Sequence, residues 1–198
     1  GGIVAGNDTT TPTAGGSVTI NSTSGANHIQ GAALRFDADS TKIIAYGDIH
    51  ILANGAASGL NTSGQQGHGL IMYGSYQTIR SYHGNLTVTG YANHAQGSDA
   101  GWANISGGIT LWDGSSTLRA YGDVTLTGVS MSGIGMYLTG GTGAGGAVTA
   151  DTGNITIKGL SNNTNYSGTY VRMPITATNG SGYISGAGKA STYANSNG

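Results

Sequence analysis

The sequence predicts an all-β fold, a parallel β-helix (solenoid) of about six coils with three short strands per coil. Three observations carry that prediction: a short phrase that recurs along the chain, strict apolar alternation inside it, and a composition poor in helix formers. The phrase is Gly, a small polar residue, then apolar-x-apolar. It occurs as Gly16-Ser17-Val18-Thr19-Ile20, Gly47-Asp48-Ile49-His50-Ile51 and Gly84-Asn85-Leu86-Thr87-Val88. It returns as Gly122-Asp123-Val124-Thr125-Leu126 and Gly153-Asn154-Ile155-Thr156-Ile157, with a degenerate sixth copy, Gly180-Ser181-Gly182-Tyr183-Ile184. The anchor glycines are 31, 37, 38, 31 and 27 residues apart.

Alternation puts Val18, Ile49, Leu86, Val124 and Ile155 on one face, together with Ile20, Ile51, Val88, Leu126 and Ile157. Thr19, Thr87, Thr125 and Thr156 then form an outward ladder, with His50 in the same place. Ser17, Asp48, Asn85, Asp123 and Asn154 fall at a corner, where a short polar side chain can bond the turning backbone. A second element precedes each anchor: Leu34-Arg35-Phe36, Ile71-Met72-Tyr73 and Ile109-Thr110-Leu111, with Phe36, Tyr73 and Leu111 each 11 residues before the next anchor glycine. Met136-Tyr137-Leu138 and Tyr170-Val171-Arg172-Met173 are its later copies, the former followed by a Gly-rich insertion, Gly140 to Gly146. A third element fills the gap: Lys42 to Tyr46, Thr78 to Tyr82, Thr117 to Tyr121, Ala147 to Ala150 and Ile175 to Ala177. Strands this short, with no helix between them, cannot build a βαβ sheet, and two-residue hairpin turns are sparse. Stacking each repeat on the last solves the problem. Each coil then advances by the strand spacing, ~4.8 Å, so the rod is roughly 25–30 Å long.

Composition agrees. Of 198 residues 38 are Gly and only 2 are Pro, which excludes collagen-like and polyproline rods. Charged residues are 8% of the chain and the net charge is −1, so no electrostatic footprint for nucleic acid or an anionic membrane is visible. No apolar run is long enough to span a bilayer as a helix. The absence of Cys excludes a disulfide framework and a thiolate zinc site. The chain opens Gly1-Gly2-Ile3, without Met or a leader, and reads as one solenoid segment, 1–198, of a larger protein, with 1–15 and 187–198 as coil boundaries or linkers.

The phrases Ala45-Tyr46-Gly47-Asp48 and Ala120-Tyr121-Gly122-Asp123, each followed by apolar-x-apolar, and Gly153-Asn154-Ile155-Thr156-Ile157 resemble the shaft repeats of filamentous-haemagglutinin-like two-partner-secretion adhesins. The resemblance covers most of residues 16–186 as pattern. It implies a right-handed β-helix, secretion to the bacterial outer surface, and a structural or adhesive role in cell contact. Its implied partners are a glycan or cell-surface receptor and the neighbouring coils of the same protein. The coils here are longer than that family's usual coil because of their loops.

Two other function classes compete. A carbohydrate-active β-helix enzyme needs clustered carboxylates and a basic residue near the sugar. Asp37 and Asp39, on one face if that stretch is extended, with Arg35 and Lys42, are the local candidates. Eight acidic residues, all Asp, with Asp48 and Asp123 at repeat corners, leave little for such a site, and no enzyme is expected. An ice- or surface-binding solenoid needs a regular Thr-x-Thr array, of which Thr87-Val88-Thr89 and Thr125-Leu126-Thr127 are the two clean copies. The histidines His28, His50, His68, His83 and His94 show no metal-ligand spacing, so neither metal nor cofactor is expected. Asn-x-Ser/Thr triplets at Asn85 and Asn154 come with the repeat phrase itself. Tyr46, Tyr82 and Tyr121 mark one corner in three successive coils. Long loops are expected at 53–67 and 90–106, and within them Tyr91 and Trp102 are the ligand-binding candidates, because rigid aromatics offer contact area with few rotors.

Overall fold

The computed structural model describes residues 2–7, 11–24, 32–55, 67–93, 107–112, 115–139, 145–163 and 166–188. Among them every regular element is a strand. The first coils hold β1 (Gly2–Ala5), β2 (Val18–Thr23), β3 (Leu34–Phe36), β4 (Lys42–Ala45), β5 (Ile49–Gly55) and β6 (Leu70–Met72). The middle coils hold β7 (Thr78–Ser81), β8 (Leu86–Ala92), β9 (Ile109–Leu111), β10 (Thr117–Ala120), β11 (Val124–Ser130) and β12 (Met136–Leu138). The last hold β13 (Ala147–Ala150), β14 (Ile155–Ser161), β15 (Thr169–Val171), β16 (Ile175–Ala177) and β17 (Gly182–Gly188). Every third strand joins the same sheet. The first sheet runs β1-β4-β7-β10-β13-β16, the second β2-β5-β8-β11-β14-β17 and the third β3-β6-β9-β12-β15. All pairings are parallel, as a solenoid requires. β1 lies within the stretch expected to be a coil boundary, and β17 runs into the other.

The apolar columns point inward. Ile49, Leu86, Val124 and Ile155 are buried in register, as are Ile51, Val88, Leu126 and Ile157. Thr19 and His50 are exposed, and Thr87, Thr125 and Thr156 are half-exposed on the outer face. The inner faces of the first and third sheets add Ile79, Leu118 and Val148, and Leu70, Leu111 and Leu138, to one continuous core.

One register differs from anchor counting. Phe36 pairs with Met72, and Met72 with Leu111, so Tyr73 lies one place beyond its expected position. The cause is an extra residue at the next corner. Tyr46-Gly47-Asp48 joins β4 to β5, whereas Tyr82-His83-Gly84-Asn85 joins β7 to β8. Counting back 11 residues from Gly84 therefore stops one short of Met72.

The corner between the first and second sheets carries a polar ladder that climbs the rod. The Asp48 N–H donates to Ser17 Oγ (3.0 Å), the Asn85 N–H to Asp48 Oδ1 (2.7 Å) and the Asp123 N–H to Asn85 Oδ1 (2.8 Å). The Asn154 N–H donates to Asp123 Oδ1 (2.7 Å) and the Ser181 N–H to Asn154 Oδ1 (2.9 Å). Each short side chain thus bonds the turning backbone of the following coil rather than its own.

The corner between the second and third sheets is closed differently. Gly90 faces Gly108 so closely that a Cβ on either would collide with the other's backbone, and Gly128 and Gly135 repeat the contact one coil on. The backbone is pinched shut at this corner. The second-sheet strands run up to this neck, so β5 ends at Gly55 and β8 at Ala92 rather than near 53 and 90.

Candidate functional site

The three outer faces of the rod differ in chemistry, and the candidate residues distribute over them. Tyr91 is not in a loop. It sits near the end of β8, half-buried on the outer face, in register with Asn54 and Val129. Beside it Asn93 Nδ2 donates to Asn54 Oδ1 (2.6 Å) and to the Gly55 carbonyl (2.9 Å), tying two successive loop stems together. Trp102 lies outside the described residues, as does the 140–144 part of the Gly-rich insertion.

On the same face Thr87 pairs with Thr125 and Thr89 with Thr127, a square of four hydroxyls. The square ends at its neighbours: His50 and Leu52 precede it, and Thr156 and Lys158 follow.

The third sheet carries an aromatic ladder on its outer side. Ring centroids run Tyr73–Trp112 (6.4 Å), Trp112–Tyr137 (5.6 Å) and Tyr137–Tyr170 (5.2 Å, interplanar angle 13°). Tyr137 is buried with Ile134, and Trp112, Tyr166 and Tyr170 pack against them. Desolvation, with Tyr170 adding to it, raises the Tyr137 phenol above its ordinary value. Tyr137 and Tyr170 stack nearly parallel, while the Trp112 contacts are tilted, an arrangement that packs the outer side of the sheet.

At the corner of the first sheet the expected Tyr46, Tyr82 and Tyr121 column exists in backbone register, but the ring stack is Tyr46–His83 (4.5 Å) and His83–Tyr121 (5.6 Å). The extra corner residue, His83, takes the stacking place. Tyr82 instead lies under the Arg80 guanidinium, whose carbon is 4.0 Å from the ring centroid. Arg80 and Arg119 are in register on β7 and β10. Arg119 is held by Asp151, with Nε 2.9 Å from Oδ1 and Nη2 2.8 Å from Oδ1. Sequence reasoning dwelt on the tyrosines and passed over these arginines, although Thr78-Ile79-Arg80-Ser81-Tyr82 and Thr117-Leu118-Arg119-Ala120-Tyr121 both read Thr-x-Arg-x-Tyr.

The expected carboxylate pair does not converge. Asp37 is engaged by Arg35 (2.6 Å), and Asp39 Oδ1 accepts the Ser75 N–H (2.7 Å). The stretch is a turn rather than an extended strand: Ser40, like Tyr76 at the same place in the following coil, has φ near +60° (59° and 58°). Lys42 begins β4.

His68 has a structural position at a loop stem. Its Nδ1 accepts the Gly107 N–H (3.0 Å) and lies 3.1 Å from Thr110 Oγ1. An Nδ1 that accepts must carry no proton. Burial, then the Arg35 charge, lowers its pKa from 6.5 to about 4. No set of three or more His, Cys, Asp or Glu suited to a metal occurs among the described residues.

No protein-family model matches the chain, and no curated protein or solved structure matches it either.

Proposed function

We propose that the chain is a structural and adhesive shaft segment of a large secreted bacterial surface protein, of the kind its repeat phrases resemble. The observation that carries this reading is the unbroken stacking of three parallel sheets in chain order, with connections of unequal length between the second and third sheets. Such a frame is rigid along its axis and tolerant at that corner, as a spacer that displays contact loops must be. In this reading the neighbouring coils of the same protein continue the sheets at both ends. The partner is a glycan or cell-surface receptor, with Tyr91 near the end of β8 and Trp102 as its contact residues. The segment inserts in no membrane, binds no nucleic acid or cofactor and performs no catalysis.

Two measurements test it. Beads coated with the chain should adhere to cells, and glycan-array binding should weaken in Tyr91→Ala and Trp102→Ala with folding unchanged. Cleavage of a polysaccharide that is abolished by Asp37→Asn or Asp39→Asn would instead make the chain a carbohydrate-active enzyme.

A further inference from the structure

The outer face of the first sheet has a donor-rich array on three consecutive coils. In register these are Lys42-Ile44-Tyr46, Thr78-Arg80-Tyr82 and Thr117-Arg119-Tyr121. Three cations stand there in a chain with only seven Lys and Arg. Like charges at directly paired positions destabilise a sheet unless something neutralises them. For Arg119 the neutralising group is Asp151, which follows β13 in register with Tyr121. The corresponding place for Arg80, one coil earlier, is held by Tyr121, which follows β10 in register with Tyr82. Arg80 consequently has the setting of Arg119 without its carboxylate. The Nε that in Arg119 donates to Asp151 is, in Arg80, buried without a hydrogen-bond partner. Among the described residues Arg80 forms no ion pair, and its one special contact is the Tyr82 ring.

We propose that Arg80, framed by Tyr82 and Tyr121, receives a carboxylate of an acidic polysaccharide lying along this face of the rod. The planar guanidinium fork matches a carboxylate, as Arg119 already shows on the same sheet. Lys42 and the Thr78 and Thr117 hydroxyls extend the donor surface to either side. Rows repeat along a straight axis at the strand spacing, ~4.8 Å, which suits an extended repeating chain. Nucleic acid fits less well, because Tyr82 is engaged by Arg80, and Tyr46 and Tyr121 pack against His83, which leaves less open aromatic surface for base stacking. Tyr121 itself is 45% exposed and sits at the border of the site.

This site lies on the first sheet and Tyr91 on the second, so its failure leaves the shaft reading untouched. The test is binding of the whole chain to polygalacturonate by isothermal titration calorimetry at low salt, with dextran, polyglutamate and oligo-dT as parallel probes. Polygalacturonate should bind, weaken as NaCl is raised, and exceed the other three. Arg80→Ala should lower affinity roughly ten-fold or more, and Arg80→Lys by less. Tyr121→Asp, which places a carboxylate where Asp151 stands in the next coil, should abolish binding while the far-UV circular dichroism stays that of the parent. Unchanged affinity in Arg80→Ala and Tyr121→Asp would overturn the proposal. So would equal binding of dextran, polyglutamate or oligo-dT, or no binding to polygalacturonate at all.

Discussion

Two corners of the same coil obey different rules. Between the first and second sheets the connection is long only in the first coil (residues 6–17) and is three or four residues in every later one, and its side chains reach the next coil through the Ser17, Asp48, Asn85, Asp123 and Asn154 ladder. Between the second and third sheets the backbone closes on itself at glycine necks such as Gly90 against Gly108, and the connections vary widely in length. The ladder corner makes inter-coil bonds, so added residues must be accommodated locally, as His83 is by stacking between Tyr46 and Tyr121. The neck corner is closed by its own glycine contacts, so a change in connection length there can leave the core contacts in place. Beyond its first coil this solenoid therefore varies one of these corners widely and holds the other to three or four residues.

Perturbing the core beside the ladder should do most damage. Val124→Asp puts a carboxylate in a fully buried column and should cost on the order of 4 kcal/mol or more, enough to unfold the chain. Thr125→Asp, one residue on and facing outward, should stay within about 1 kcal/mol. Urea titrations of the two variants check this, and equal damage would refute the assignment of faces. At the neck, Gly108→Val drives a side chain into the Val129 and Gly90 backbones and should cost about 3 kcal/mol in the same assay.

The neck edge also contains a pH-dependent contact. The folded-state pKa of His68 is about 4, below the ordinary 6.5. The unfolded chain therefore binds the proton more tightly, and protonation favours unfolding. Stability from this group is present above pH 6.5 and declines as pH falls toward 4, by up to about 3 kcal/mol. Thermal melts at pH 7 and pH 4 should show this loss in the parent chain, and His68→Gln should remove most of the difference.

Much of this contrast was legible in the sequence, for identifiable reasons. The second-sheet strands were, because period-two alternation in Val124-Thr125-Leu126 and its copies has one solution. Their full length was not: Gly90 looks like a loop residue until its closeness to Gly108 shows that it closes the neck. That misreading moved Tyr91 from a strand into a loop. The shift of Tyr73 was hidden because counting from anchors assumes corners of constant length, and His83 breaks that assumption. The Asp and Asn corner residues announced themselves as backbone acceptors, but only parallel stacking shows that the donor belongs to the next coil. Arg80 and Arg119 occupy matching slots in plain sight. Their difference appears only when Asp151 is found beside one of them.

Smaller effects refine the comparison. Asp123→Ala leaves the Asn154 N–H without its acceptor at an exposed corner and should cost about 1 kcal/mol, whereas Asp123→Asn retains Oδ1 and should cost less. Replacing residues 96–104 by a short Gly-Ser link should alter stability by about 0.6 kcal/mol or less, since closure entropy depends weakly on length. A ladder variant that proves harmless, or a shortened loop that unfolds the chain, would reverse the roles given to the two corners.

The stacking itself is open to direct measurement, because the natural chain has no cysteine and paired spin labels can be placed without background. Thr19 and Tyr183 belong to one outward column, five strand spacings apart through His50, Thr87, Thr125 and Thr156. Double electron–electron resonance between Thr19→Cys and Tyr183→Cys should give a single narrow distribution centred near ~24 Å, broadened only by the label linkers. A broad distribution, or one centred beyond about 40 Å, well outside that strand-spacing distance, would contradict coil-on-coil stacking in chain order.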